Sequence, residues 1–180
     1  KAAHTPGLPP AEYTLSHREN GRACYSFCMC PGGHVVAAQS EQNTVVTNGM
    51  SYHARDGRNA NAALAVSVDP SDFADGTPLG GIAFQRRIEH AAFAASGGYG
   101  ARGGRVQPTY PIGVAYGRAD DCLPDFVTQQ LRIGLRAFGR KIRGFDSADA
   151  LLTAPETRTS SPVRMTRGTD LYSKTLPGLI

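Results

Sequence analysis

Glu12-Tyr13-Thr14-Leu15-Ser16-His17-Arg18-Glu19-Asn20-Gly21-Arg22-Ala23-Cys24-Tyr25-Ser26-Phe27-Cys28 is the stretch from which the fold is read. Tyr13, Leu15 and His17 alternate with Thr14 and Ser16, and the run from Arg22 to Cys28 alternates again, so each half has the period of a strand. Asn20-Gly21 lies between them. A two-residue type I′ turn needs positive φ at both central positions, and Asn-Gly supplies it, so the stretch predicts an antiparallel hairpin.

Working outward, Gly33 to Gln39 and Thr44 to Thr47 are apolar and β-branched around the polar Ser40 to Asn43, which predicts a second hairpin. Ala62 to Val68 reads as a fifth strand, although its alanines leave a helix open. Beyond Pro78 the period changes. Phe84, Ile88, Ala91 or Ala92, and Ala95 recur at helical spacing up to Gly97-Gly98. Pro124 suits a first helical turn, and Val127, Leu131, Leu135, Phe138 and Ile142 follow on one stripe. A shorter helix is expected over Ser147 to Leu152. Strands followed by helices predict an α+β fold, an antiparallel sheet or small barrel-like β portion and then a helical portion. The expected organisation is a single unit, β-rich over about 8–70 and helical over about 78–153, with a return segment at 154–180.

The 180 residues, 41% hydrophobic and 19% charged, suit a globular core and exclude a wholly disordered or collagen-like chain. Apolar runs reach only five residues, at Ala62 to Val66 and Ala91 to Ala95, so no membrane segment is expected. The net charge of +4 comes from sixteen arginines and three lysines against fifteen acids. Guanidinium forks suit phosphate and carboxylate, which opens an alternative reading as a basic module for nucleic acid or an anionic partner. Arg132, Arg136, Arg140 and Arg143 fall opposite the apolar stripe of the long helix, but no aromatics interleave with them as single-strand binding favours. A solvated helix face is the better reading, and nucleic acid is not the expected partner.

Chemistry-bearing motifs are few. Gly98-Tyr99-Gly100-Ala101-Arg102-Gly103 matches G-x-G-x-x-G, but a helix precedes it and Pro108 and Pro111 follow, whereas a dinucleotide turn needs a strand before and a helix after. Cys24, Cys28, Cys30 and His34 lack paired zinc-knuckle spacing, and no metal is expected. On an extended chain the three cysteines share one face, and reduced thiols in a cytoplasmic setting are expected. Glu89-His90 reads as a surface pair, since neighbours on a helix diverge. Cys28-Met29-Cys30-Pro31-Gly32-Gly33 and Thr47-Asn48-Gly49-Met50-Ser51 read as turns whose backbone can approach a planar ring or an anion closely. Thr157-Arg158-Thr159-Ser160-Ser161-Pro162 sets hydroxyl donors around one arginine.

Several strings resemble the FAD-dependent dehydrogenase family, also called NAD-utilising dehydrogenases: Leu8-Pro9-Pro10-Ala11-Glu12-Tyr13, Tyr25 to Gly33, Val46 to Ser51, Arg58-Asn59-Ala60-Asn61, Phe84-Gln85 with Glu89, and Glu156 to Arg164. The resemblance runs from about Leu8 to Ile180. It implies a two-dinucleotide flavoprotein of which this chain is the inserted, substrate-side domain, flanked by an FAD-binding domain of the same polypeptide. FAD is then the cofactor of the parent and is not expected to bind this piece tightly, with NAD(P)H a further candidate electron donor. The flavin- or substrate-facing candidates are Pro31, Gly32, Gly33, Asn48, Gly49, Ser51, Thr159, Ser160 and Ser161, and the catalytic candidates are Arg158, Cys28 and Cys30. The three loops are expected on one surface, with Arg158 stabilising an anion and the two cysteines lining the pocket.

Overall fold

A computed structural model describes residues 13–73, 77, 79–96 and 106–179. The strands are β1 (Leu15–Glu19), β2 (Arg22–Pro31), β3 (Gly33–Ala37), β4 (Thr47–Ser51) and β5 (Ala60–Val66), and the helices are α1 (Pro70–Phe73), α2 (Gly80–Ala95) and α3 (Asp125–Lys141). All strand pairs are antiparallel, in one sheet of order β1-β2-β5 and another of β3-β4. This is the expected α+β arrangement. The G-x-G-x-x-G match, the Gly97-Gly98 helix end and Leu8 to Glu12 lie outside the described residues.

Asn20 (φ 52°) and Gly21 (φ 76°) both take the left-handed conformation, and Glu19 pairs with Arg22 across the turn. That register puts Leu15 opposite Ser26 and His17 opposite Cys24, so Leu15, Cys24 and Ser26 turn one buried face toward α3. Gly134 is the contact point on the helix. A Cβ there would overlap the Sγ and Cβ of Cys24, so a residue that weakens a helix in isolation lets helix and sheet close together. Phe138 and Ala137 complete the cluster with Leu15 and Cys24.

Asp125 lies in the first turn of α3 and Arg140 and Lys141 in the last, matching the helix dipole. Gln130 Nε2 donates to the Arg22 carbonyl (3.1 Å) and Lys141 Nζ to that of Ser16 (3.0 Å), fixing both ends of α3 on the first hairpin. Arg22 pairs with Asp72 of α1 and stacks 4.3 Å from the Phe126 ring centre.

Four expectations need correction. Thr44 to Val46 is not a strand: Val46 is buried, Thr44 Oγ1 donates to the Glu41 carbonyl (2.7 Å), and β4 instead runs through Asn48-Gly49. Glycine fits that strand because Asn61 stands against it; a Cβ on Gly49 would lie 2.7 Å from Asn61 Oδ1. Ser147 to Leu152 forms isolated turns, Ser147 N to Gly144 O and Ala150 N to Ser147 O, because six exposed residues bury too little to offset helix nucleation. The three cysteines do not share a face. A bulge between Phe27 and Cys30, with Cys28 at φ 52°, leaves Cys24 buried and Cys28 exposed. Finally, Glu89 and His90 diverge, but Glu89 points inward and is fully buried.

Candidate functional site

Around β5 opens a cleft of about 1010 Å³, a volume at the upper end of small-molecule sites. β5 is one wall. Phe84 and Ile88 of α2 form another, Val127, Leu131 and Leu135 of α3 a third, and the return segment from 149 to 162 supplies a rim. The apolar stripe read on α3 therefore divides. Phe138 enters the core, Val127 and Leu135 line the cleft, and Leu131 touches both, because the helix meets the sheet through its small residues Gly134 and Ala137.

Gly33, Asn48, Gly49, Thr159, Ser160 and Ser161 all line this one cleft. They arrive by two routes. Gly33 and Gly49 lie on β3 and β4, where Gly33 pairs with Ser51 and Val35 with Gly49. The return segment is brought back by β4 and α2: Thr47 N (2.8 Å) and Oγ1 (3.0 Å) both donate to the Pro155 carbonyl, and Gln85 Nε2 donates to that of Thr157 (2.7 Å). Gly81 leaves room on α2 for Pro162, whose Cβ a side chain there would meet at 2.5 Å.

Cys28, Cys30, Pro31, Gly32, Ser51 and Arg158 are not among the lining residues. Gly32 (φ 64°) is buried with its Cα against the backbone of Arg55 and Gly57. Gly32→Ala is expected to cost about 2 kcal/mol, through left-handed strain plus overlap with a carbonyl that cannot rotate away. Urea titration checks this, and a change within about 0.5 kcal/mol, as at an ordinary surface site, would contradict it. Burial pushes the Cys24 thiol up to about 11, which marks a packing residue rather than a nucleophile or ligand. Among the described residues no group of three His, Cys, Asp or Glu side chains could hold a metal.

Arg158 meets Glu89. Its Nε donates to Oε1 (2.9 Å) and an Nη to Oε2 (2.8 Å), while Thr157 Oγ1 also donates to Oε1. The hydrogen bonds from Arg158 outweigh desolvation and hold the Glu89 carboxyl below the usual carboxylate range. Glu41 lies 3.7 Å from the same guanidinium, which is thus surrounded by negative charge.

Sequence reasoning gave no role to Asn61. Its Nδ2 donates to the carbonyls of His34 (2.9 Å) and Met50 (3.4 Å), tying the β3-β4 hairpin to β5. Two carbonyl acceptors fix which end is the amide nitrogen, and Oδ1 is left buried without a donor. A Cβ on Gly33 or on Gly49 would collide with this amide. The signal was the coincidence of Asn61 with two glycines, but it is visible only once the strands are paired.

The family model described as "FAD-dependent protein, C-terminal domain-like" matches residues 1–103 and 98–159. The chain belongs to that family. It is also 44% identical over 192 residues to an uncharacterized protein of Clostridium beijerinckii, a match covering 97% of this chain and 36% of the relative. The chain thus spans little more than a third of that relative's length. As a member of that family it is an FAD-associated domain. No helix among them is long and apolar enough to cross a membrane.

Proposed function

We propose that this chain is the substrate-side, covering domain of an FAD-dependent oxidoreductase of the NAD-utilising dehydrogenase type, and that it does not catalyse alone. The observation carrying this reading is the single cleft in which Gly33, Asn48, Gly49 and Thr159 to Ser161 meet from distant parts of the sequence. Such a lining suits a flat, polar-edged ring: amides and hydroxyls orient the edge, and β5 with the α2 and α3 side chains excludes water. The residues fit the ring end of FAD and the bound substrate; its phosphates would be held by the flanking FAD-binding domain. When bound, the flavin supplies the electron transfer.

In this reading Asn48, Thr159, Ser160 and Ser161 hydrogen-bond the substrate or the ring edge. Glu89 and Arg158 hold the segment that carries the last three. The basic-module alternative is weakened by the pairing of Arg22, Arg86, Arg118, Arg132 and Arg158 with carboxylates. The test is FAD titration followed by flavin fluorescence. The full-length protein should bind FAD stoichiometrically and the 180-residue chain weaker than micromolar. Micromolar or tighter binding by the chain alone would overturn the division of labour, and a full-length protein without affinity for FAD would overturn the reading itself.

A further inference from the structure

Glu156 is a carboxylate that the fold withdraws from water without giving it a partner. Its backbone is fixed on both sides. Thr47 N and Oγ1 hold the Pro155 carbonyl and Gln85 Nε2 holds that of Thr157, so the residue between them is set at the cleft, half-buried, with Asn48 and Gln85 in the same lining. Among the described residues no hydrogen bond or ion pair reaches its carboxylate, and burial pushes the carboxyl up from its ordinary value.

Elsewhere the same chain meets its carboxylates with arginine. Arg158 sits on Glu89, Arg22 on Asp72 and Arg132 on Asp120. The first of these arginines lies only two residues from Glu156, and it is spent on Glu89. A desolvated carboxylate without a cation costs stability, and a ligand that brings the positive charge recovers that cost on binding. The charged side chains of the lining favour the same ligand: Glu156 and Asp149 stand against Arg143, an acidic lining in a chain whose net charge is +4. Asp149 and Arg143 are exposed and keep their water, so among these three it is Glu156 whose charge a ligand relieves. A neutral donor would leave that charge uncompensated, and an anion would be repelled by it.

We propose that Glu156 is the subsite of this cleft for a protonated amine, so that the substrate is a small amine whose ammonium group meets the carboxylate while its hydrocarbon part lies along the apolar walls of α2 and α3. The inference deepens, and rests on, the reading of the cleft as the substrate side of a flavoprotein.

Isothermal titration of the purified full-length protein near neutral pH tests it, with benzylamine as the cationic probe and benzyl alcohol as a neutral counterpart of similar shape. Benzylamine is expected to bind at least about 10-fold more tightly than benzyl alcohol, as hydrogen bonds to a charged group are the stronger ones. Glu156→Gln should erase that preference and leave benzyl alcohol binding as it was. Equal affinity for the two probes, binding of neither, or a preference that survives Glu156→Gln would overturn the proposal. Urea unfolding of Glu156→Gln gives a readout independent of any ligand: removing an unpaired charge should leave the midpoint unchanged or raise it. A lowered midpoint would mean that the carboxylate holds the fold, and would also overturn the proposal. Flavin absorbance of the same sample separates the two claims. An ammonium preference that depends on Glu156 in a protein without flavin upholds the subsite and removes the flavoprotein reading, whereas bound flavin without that preference removes the subsite alone.

Discussion

Arg158→Met is expected to lower the unfolding free energy by about 3–5 kcal/mol near neutral pH, whereas Glu89→Gln should cost only about 1–2 kcal/mol. The asymmetry follows from burial. Glu89 is 0% exposed, and without Arg158 it keeps, among the described residues, the Thr157 hydroxyl as its side-chain hydrogen-bond donor. Arg158 has a side chain 39% exposed and Glu41 nearby, so without the Glu89 charge it still has water and a second carboxylate. The pH dependence has a definite sign. Because Arg158 depresses the Glu89 carboxyl in the folded state, the unfolded state binds more protons in acid. The pair's stabilisation is complete above the ordinary carboxylate range and is lost as pH falls through the depressed folded value. The deficit of Arg158→Met should therefore shrink in acid, where the stranded carboxyl can take a proton. Urea denaturation at neutral and acidic pH measures both effects. A larger cost for Glu89→Gln than for Arg158→Met would contradict the argument. The same pair fixes the segment leading into Thr159 to Ser161, so loss of stability and loss of cleft geometry should go together.

The second large effect belongs to Phe138. Its side chain is 0% exposed, meets Phe145 edge-on with ring centres 5.7 Å apart, and fills the core between α3 and the first hairpin. Phe138→Ala is expected to cost about 3–5 kcal/mol, the transfer of a ring plus the cavity it leaves. Leu135→Ala, one turn earlier on the same predicted stripe, should cost less than half as much, because Leu135 faces an open cleft and its removal creates no enclosed void. Thermal and urea unfolding of the two variants distinguishes a stripe that is all core from one that is half core and half wall. Equal costs would mean that the cleft surface of α3 is packed like an interior.

The elements most legible in the sequence were those whose cause is local. Asn20-Gly21 dictates its own turn, and the alternation on either side then fixes which residues of β1 and β2 face the helices. The periods of α2 and α3 likewise belong to single segments. β4 was misplaced because its glycine is explained by Asn61 on another strand, not by a turn. The cysteine face failed because one bulged residue reverses the alternation on which it depended. Glu89 looked like a surface residue because its partners, Thr157 and Arg158, are 68 and 69 positions away.

The candidate site divides in the same way. Glycine, amide and hydroxyl composition marked Gly33, Asn48, Gly49 and Thr159 to Ser161 as surfaces suited to a flat polar ligand, and the resemblance to a flavoprotein family rested on those strings. Composition could not tell lining from packing. Gly32 and Gly33 are neighbours and both pack closely, Gly32 against Arg55 and Gly57 and Gly33 against the Asn61 amide, yet only Gly33 also borders the cleft. The sequence by itself determined the α+β class, the first hairpin and the two long helices, because turn conformation and hydrophobic period act over a few residues. Only the tertiary structure decided where the return segment lies, which part of the α3 stripe is wall, and that Asn61 of β5 holds the second hairpin. Those depend on hydrogen bonds and buried charge between segments far apart in the chain, whose energy exists only once both partners are in place.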